Sequence, residues 1–286
     1  MPGSVPEIAV IGSVNLDIVA HAPRLPVAGE TVTGARLARY PGGKGANQAL
    51  AARRLGARVA LHAAVGADAA ADEALALLAA DGVDLGALVR NDREPTGTAL
   101  IVVGETGENQ IVVAPGANRH FRLDAGQLAG VDAVLCQLEI PAQVVAEAAR
   151  EAPGLFAVNL APVRDIDDLV LERADLLIVN EGEAEAYGAR LRRAKGLVAI
   201  TLGRAGARLY RDGEAIAVAT PPRVEAIDST GAGDMFSAAL LIALLEQRPP
   251  EAALRFACAA AALSTTARGA QPSFPRRREV DSLLAH

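Results

Sequence analysis

From Asp228 to Leu241 the chain reads Asp-Ser-Thr-Gly-Ala-Gly-Asp and then Met-Phe-Ser-Ala-Ala-Leu-Leu, two acids around a turn of small residues that runs into an apolar pattern. Helix N-termini carry unpaired N–H groups and partial positive charge. Thr230-Gly231-Ala232-Gly233 supplies a loop poor in side chains, whose amides could hold a phosphate or a developing negative charge. Asp234, in the first helical turn, could take a proton from a substrate hydroxyl while the loop steadies a phosphoryl group in transfer. The plainer alternative is a carboxylate that only favours the helix dipole, which leaves the Gly-Ala-Gly run unexplained. The same dipole should help keep Asp234 ionised, as a base must be.

Two further segments hold side chains suited to a polyol. In Pro41-Gly-Gly-Lys-Gly-Ala-Asn-Gln-Ala-Leu50 the glycines permit close backbone approach, and an Ala-rich helix aims its N–H groups at whatever sits there. Lys44 is one of only two lysines, with Lys195, in a chain that otherwise uses Arg. Asn47 offers both a donor and an acceptor. The opening apolar run ends in Gly12-Ser-Val-Asn-Leu-Asp17, where Asn15 and Asp17, two apart, point the same way at a strand's carboxyl end, the ligand-binding edge of α/β sheets. An acid there can accept hydrogen bonds from two adjacent hydroxyls; alone, the stretch would pass for a turn.

Other chemistries lose ground. Gly43-Lys44 is followed by Gly45 instead of Ser or Thr, so it is no Walker A loop, and no G-x-S-x-G elbow occurs. His21, His62, His120 and His286 lack metal-ligand spacing, and His62 reads as a core or cross-strand residue. Cys136 and Cys258 are far apart in apolar context, which suits two reduced, buried thiols. A net charge of −6, with Arg276-Arg277-Arg278 as the densest basic cluster, gives no reason to expect nucleic acid. No apolar run approaches the roughly 18 residues of a membrane helix, and no secretory signal is evident, so a soluble cytoplasmic protein is expected.

The elements that must position these residues alternate. Short apolar runs recur, most of them ending in Gly or Asn: Ile8–Gly12, Val59–Gly66, Ala133–Cys136, Leu155–Asn159, Leu176–Asn180 and Leu197–Gly203. Segments of helical period lie between them, such as Ala46–Leu55, Ala70–Ala80 and Ala142–Ala152. Strands without polar alternation, spaced by helices, imply a parallel sheet covered on both faces. Two stretches break the rhythm. Residues 18–40 include a strand-like run from Glu30 to Arg39, and residues 96–114 read as a hairpin, Thr98–Val103 and Gln110–Ala114 around Gly104-Glu-Thr-Gly107. Such strands belong to a separate small sheet that could close over a ligand.

In this order and over nearly the whole length, the segments resemble the PfkB-type carbohydrate kinases, most of all their ribokinase branch. Gly12–Asp17 resembles the sugar-binding first strand and Gly42-Gly-Lys-Gly-Ala-Asn-Gln-Ala49 the N-terminal signature. Gly107–Asn118 is similar to the lid hairpin and its turn, and Gln137-Leu-Glu-Ile-Pro141 follows. Asn180-Glu-Gly-Glu183 resembles an Asn-x-x-Glu motif and Thr201-Leu-Gly-Arg-Ala-Gly206 a nucleotide loop. Asp228–Leu241 resembles the C-terminal signature and Arg268-Gly-Ala-Gln-Pro-Ser273 the tail. The resemblance implies an α/β fold: a ribokinase-like, doubly wound, mostly parallel sheet with helices on both faces and a small β-sheet lid. It also implies one domain over 1–286 with lid strands inserted at about 18–40 and 96–114.

What the resemblance implies for function is ATP-dependent phosphorylation of ribose at its 5-hydroxyl. Asp234 would be the general base, and the amides of Gly231, Ala232 and Gly233 the anion hole. Asn15, Asp17, Gly43, Lys44, Gly45, Ala46, Asn47 and Glu139 would surround the sugar. Asn180 and Glu183 would organise Mg2+ and phosphates; Thr201, Leu202, Gly203, Arg204, Ala205, Gly206, Gly233 and Cys258 would line the ATP site. Asp228, Thr230, Ser264, Ala267, Gly269 and Ser273 would hold a monovalent cation, K+, largely through carbonyls. A homodimer through the lid sheet is also implied. Three positions depart from the family pattern: Asn159-Leu-Ala-Pro162 replaces an Asn-Pro-Ala-Pro turn, the stretch between Asn180 and Thr201 is short, and Cys258 stands where His often faces adenine. The alternatives are a kinase of another pentose such as deoxyribose, a nucleoside kinase, or a non-catalytic binder of sugar or nucleotide.

Overall fold

The computed structural model describes residues 5–124 and 126–285. The chain opens with β1 (Glu7–Ile11), β2 (Asn15–His21) and β3 (Arg36–Gly42), then α1 (Lys44–Arg54) and β4 (Arg58–His62). Next come β5 (Ala64–Gly66), α2 (Ala69–Asp81), β6 (Val89–Asn91), β7 (Gly97–Val103) and β8 (Asn109–Ala114). The second half runs β9 (Ala133–Gln137), α3 (Ala142–Glu151), β10 (Leu155–Asn159), α4 (Asp168–Arg173), β11 (Leu176–Asn180), α5 (Glu181–Tyr187) and β12 (Leu197–Thr201). It ends with β13 (Ala207–Arg211), β14 (Glu214–Ala219), α6 (Ala232–Leu245), α7 (Pro250–Ser264), α8 (Ala270–Ser273) and α9 (Arg277–Leu284).

Eight strands form the main sheet in the order β14-β13-β12-β11-β10-β9-β1-β4. It is parallel from β4 to β12 and antiparallel at the β13–β14 edge. In β1, Ile8 and Val10 enter one apolar core while Ala9 and Ile11 enter another on the opposite face. The period-2 alternation of a strand buried on both sides therefore appears as two cores, not as polar alternation. Because β1 lies between β4 and β9, the chain turns both ways from it, and the crevice beyond such a switch point is where α/β sheets take ligands. At that edge β9, β10, β11 and β12 end in Gln137, Asn159, Asn180 and Thr201.

The separate small sheet is present, ordered β3-β2-β7-β8. Its composition departs from expectation in two ways. Asn15 and Asp17 do not continue β1; they begin β2, paired with Gly42 and Tyr40 of β3 and with Gly97 and Ala99 of β7. The expected strand from Glu30 begins only at Arg36, because Glu30 belongs to a turn. Its carboxylate accepts from Val27 N at 3.2 Å and pairs with Arg24.

The run Val59–Gly66 also splits. After β4 the chain leaves the main sheet, and β5 pairs with β6 in a two-stranded sheet. The β13–β14 hairpin was not expected. Its signal was Asp212-Gly213, a two-residue turn in which Asp212 adopts φ 52°. Among the described residues, no helix is long and apolar enough to cross a membrane.

Candidate active site

The switch-point crevice gathers side chains from both sheets. Asn15 is buried, and its Oδ1 accepts from Asn118 Nδ2 at 2.8 Å. Asn118 is itself pinned to Val14, donating to its carbonyl at 3.0 Å and accepting from its amide at 2.9 Å. Asn15 therefore has its amide nitrogen to offer. Asp17 lines a cavity of about 690 Å3 between the small sheet and the loop at Asp228. Burial, with Glu139 and Asp234 nearby, raises its carboxyl to about 7. Glu139, just past β9, uses one oxygen to accept from Ser13 Oγ at 2.5 Å and Lys44 N at 3.1 Å.

Gly43 explains why the backbone crosses this crevice without a side chain. It sits at φ 87°, and a Cβ there would lie 2.6 Å from Asn15 N. Gly45 and Ala46 are buried in the first turn of α1. Burial alone would lower the Lys44 ammonium, but Asp234, Glu139 and Glu183 together outweigh it and raise it. One lysine thus faces three acids, drawn from α6, from the loop after β9 and from α5.

Asp234 is the third residue of α6, and Gly231 is its N-cap, with no side-chain cap bond. Its carboxylate points elsewhere. Oδ2 accepts from Asn47 Nδ2 at 2.9 Å and Oδ1 from Gln48 Nε2 at 3.0 Å, both in α1. The carboxylate makes no capping bond to its own helix, and a role confined to the helix dipole leaves these two amide contacts unexplained. The expected electrostatics need a correction too: burial outweighs Lys44 and the two amides, so the carboxyl is raised rather than held low. A raised carboxyl is a better proton acceptor near neutral pH, provided enough of it is ionised.

Gly231 adopts φ 77°, and a Cβ there would lie 2.6 Å from Ala270 Cβ and 3.0 Å from Phe274. The turn is thus packed against α8. Of the amides expected to form one hole, Ala232 N already donates to Ser229 O at 3.2 Å, and beside Gly233 the space a side chain would fill is open. Ser229 lines the Asp17 cavity and also a second one, of about 810 Å3, which carries Thr201, Gly203, Arg204, Gly206, Gly233, Phe236 and Cys258. The loop from Asp228 to Gly233 is the wall the two cavities share. Leu202 and Ala205 belong to the same turn, closed by Leu202 N to Gly206 O at 2.8 Å.

Three segments of the expected cation set meet beside this wall. Asp228 accepts from Thr230 N and Oγ1 at 2.9 and 2.6 Å and from Gly269 N at 2.9 Å. The amides of Ile227 and Asp228 donate to Thr265 O at 2.7 and 3.1 Å. Burial alone would raise Asp228, yet these hydrogen bonds and Arg268 lower it. Ser264 and Ser273 turn their hydroxyls onto carbonyls of their own helices, at 2.8 Å each, and Ala267 is exposed in the intervening turn.

Asn180 and Glu183 form a reciprocal capping box on α5, each accepting from the other's backbone N–H at 2.8 Å. The Asn-x-x-Glu spacing thus has a local structural role, and the Glu183 charge is one of the three that raise Lys44. Cys258 is buried and lines the second cavity, its thiol 3.8 Å from Ala219 O and pushed up by burial to about 12.

Residues 5–277 match the model of the pfkB family carbohydrate kinases. The chain belongs to that family. It is 40% identical over 293 residues to a ribokinase of Bacillus subtilis, covering 98% of this chain and 99% of that one. It is 37% identical over 302 residues to a ribokinase of Haemophilus influenzae, covering 98% of each. The structure of Arabidopsis thaliana ribokinase complexed with ribose and ATP superimposes with a TM-score of 0.88 at 31% identity, over 99% of each chain. The ribokinase-like fold with its small separate sheet is therefore observed in this family member.

Sequence reading missed the residues behind the site. Gln48, Gln137, Asn159 and Gln271 are buried and form amide links around Asn47 and Asp234, and Asn118 orients Asn15. All five stand inside or beside segments singled out from the sequence. Each is an amide in an apolar or small-residue run, the one signal that a partner must exist.

Proposed function

We propose that this pfkB-family carbohydrate kinase transfers the γ-phosphoryl group of ATP to the 5-hydroxyl of D-ribose. The observation that carries the reading is Asp234: a buried acid aimed away from its own helix, next to a loop that walls both a polar and a nucleotide-sized cavity. Asn15, Asp17, Asn47 and Glu139 hold ribose hydroxyls, with the Gly43–Ala46 backbone closing underneath. Asp17 accepts from two adjacent hydroxyls. Asp234 takes the 5-hydroxyl proton, the freed oxygen bonds to the γ-phosphorus, and the bond to the β,γ-bridging oxygen breaks to release ADP. The Gly233 amide, with the loop around it, faces the charge that builds on the transferring group. ATP occupies the second cavity, its adenine toward Cys258 and Phe236.

Two ions fit the donors present. Glu183's remaining oxygen and the Asn180 side chain suit Mg2+, a hard cation bound through oxygen and water, which supplies charge neutralisation to the phosphates. The carbonyls of the segments joined by Asp228, with Thr230, Ser264, Ala267, Gly269 and Ser273, suit K+, which would steady the loop's shape. The outer strand of the small sheet is exposed and apolar, with Ile111 at 54% and Val112 at 66%; we read it as the face of a homodimer. Two unpaired, buried cysteines accord with a cytoplasmic setting.

A coupled ADP-release assay with ribose, deoxyribose and a set of nucleosides, with and without KCl, tests the reading. Ribose should give the highest kcat/KM, raised by KCl. A nucleoside that outruns ribose would reassign the substrate, and binding without ADP release would remove the kinase reading.

A further inference from the structure

Each of the two amides that reach Asp234 is held from behind. Gln48 Oε1 accepts from Gln137 Nε2 at 2.7 Å, and Asn47 Oδ1 accepts from Gln271 Nε2 at 3.2 Å. With its oxygen so occupied, neither amide can turn that oxygen toward the carboxylate, and each presents its nitrogen. Gln48's second N–H goes to Asn159 Oδ1 at 3.2 Å, and Asn159 donates in turn to the Ile178 carbonyl of β11 at 3.2 Å. A main-chain group therefore sets the direction of the chain that runs from Asn159 through Gln48 to Gln137. Gln48, Gln137 and Gln271 are fully buried. The oxygens of the two outer glutamines, Gln137 Oε1 and Gln271 Oε1, have no partner among the described residues. Buried acceptors are left unmet at a cost, here in exchange for aiming both N–H groups inward.

Gln48 engages both donors and its acceptor with protein, so any effect on the reaction passes through Asp234. We propose that Gln48, oriented by Gln137 and Asn159, is a positioning residue for phosphoryl transfer, one that keeps the Asp234 carboxylate anionic and turned for proton removal. The other charges facing Asp234 are Lys44 of α1, Glu139 after β9 and Asp17 of β2. All three stay in place in the variants below, so a change reports on the amides.

The inference rests on Asp234 acting as the base, and its test has one arm that needs no substrate. Urea unfolding is followed from pH 5 to 9 for wild type, Gln48→Met, Asp234→Asn and the double variant. Asp234 sits above its ordinary value in the folded state, so its ionisation opposes folding as pH rises. Without the Gln48 N–H that opposition should grow. The stability gap between wild type and Gln48→Met should widen with pH, at least tenfold in the unfolding equilibrium constant, and should stop widening in the Asp234→Asn background. In the second arm, single-turnover transfer to ribose is measured across the same range. The acid limb for Gln48→Met should move up by about one to two pH units, with ribose KM within about twofold.

Gln137→Met, one hydrogen bond further out, should shift both readouts in the same direction by less, and it serves if Gln48→Met does not fold. A rate lowered by one factor at every pH, or a gap whose pH dependence survives Asp234→Asn, would overturn the proposal and leave Gln48 as core packing. If wild type does not phosphorylate ribose, the substrate reading falls while the unfolding arm still decides the role of Gln48.

Discussion

The Asp228 carboxylate and the Gly269 amide meet at 2.9 Å across 41 positions of chain. With the two bonds from Thr230, this contact fastens the shared cavity wall to the turn before α8. Asp228→Ala removes all three and leaves the loop held on the side where K+ is proposed only by the main-chain bonds to Thr265 O. The variant should need severalfold more KCl for half-maximal rate, with a lower kcat at saturation. A KCl titration at constant ionic strength checks this; an unchanged curve would detach Asp228 from cation binding.

Gly231→Ala should damage catalysis more than binding. The new methyl would lie 2.6 Å from Ala270 Cβ in a residue held at φ 77°, so the turn must shift. Left-handed backbone costs a non-glycine residue about 1–2 kcal/mol before any clash. A drop of roughly a hundredfold in kcat is expected, the scale of losing one oxyanion-hole donor, with ribose KM within about threefold. Steady-state kinetics beside a urea melt separate the two effects.

Asp17 should make sugar affinity depend on pH. Its carboxyl lies at about 7 because burial and two neighbouring acids disfavour the anion. The anion is the form that accepts from two hydroxyls, so ribose KM should fall between pH 6 and 8. In Asp17→Asn, KM should rise at least tenfold and flatten with pH. The stability sign runs the other way. A group raised in the folded state contributes stability at low pH that is lost as pH rises through about 7. Asp17→Asn should therefore be more stable than wild type at pH 8 by roughly 2–4 kcal/mol, as read from urea midpoints.

Arg54 is a stability residue behind the site. Its guanidinium donates to Asp81 Oδ2 at 2.7 Å and to the carbonyls of Gln271 and Phe274 at 2.7 and 2.9 Å. Arg54 and Arg276 both pair with Asp81, and Arg54 and Asp81 are each about 10% exposed, so Arg54→Met takes away the buried one of the carboxylate's two arginine partners and a donor from each of two carbonyls. A loss of about 2–4 kcal/mol is expected. Burial alone would raise Asp81, but Arg54 and Arg276 hold it low. This contribution is thus present above the carboxylate range and fades as pH falls through it. The gap between variant and wild type, followed by urea melts, should narrow toward pH 3.

The main strands were legible because burial on both faces leaves continuous apolar runs, and the β7–β8 hairpin because its turn residues stand between them. The switch at Asn15 was not. One apolar run, a Gly-Ser turn and a second strand look like a single strand when each face is buried. The Asp212-Gly213 turn of β13–β14 is a hairpin signal, but Arg208, Arg211 and Glu214 break the apolar runs on either side of it. At the site, residues that carry charge or free the backbone, such as Asp17, Glu139, Gly231 and Asp234, could be picked out by type and spacing. The amides that set their orientation could not. A buried Gln announces only that it needs a partner; that Gln137 meets Gln48, and Gln271 meets Asn47, is decided by packing across 89 and 224 positions of chain.

The most direct test of the account is single-turnover transfer from ATP to ribose by wild type and Asp234→Asn, with the product's phosphorylated position read by phosphorus and carbon NMR. Wild type should form ribose 5-phosphate and ADP in equal amounts. Asp234→Asn should fold, bind ribose within about threefold of wild type, and transfer at least a thousandfold more slowly, near the upper end of what a positioned base supplies. Near-normal transfer by Asp234→Asn, or a phosphate on any other hydroxyl, would contradict it.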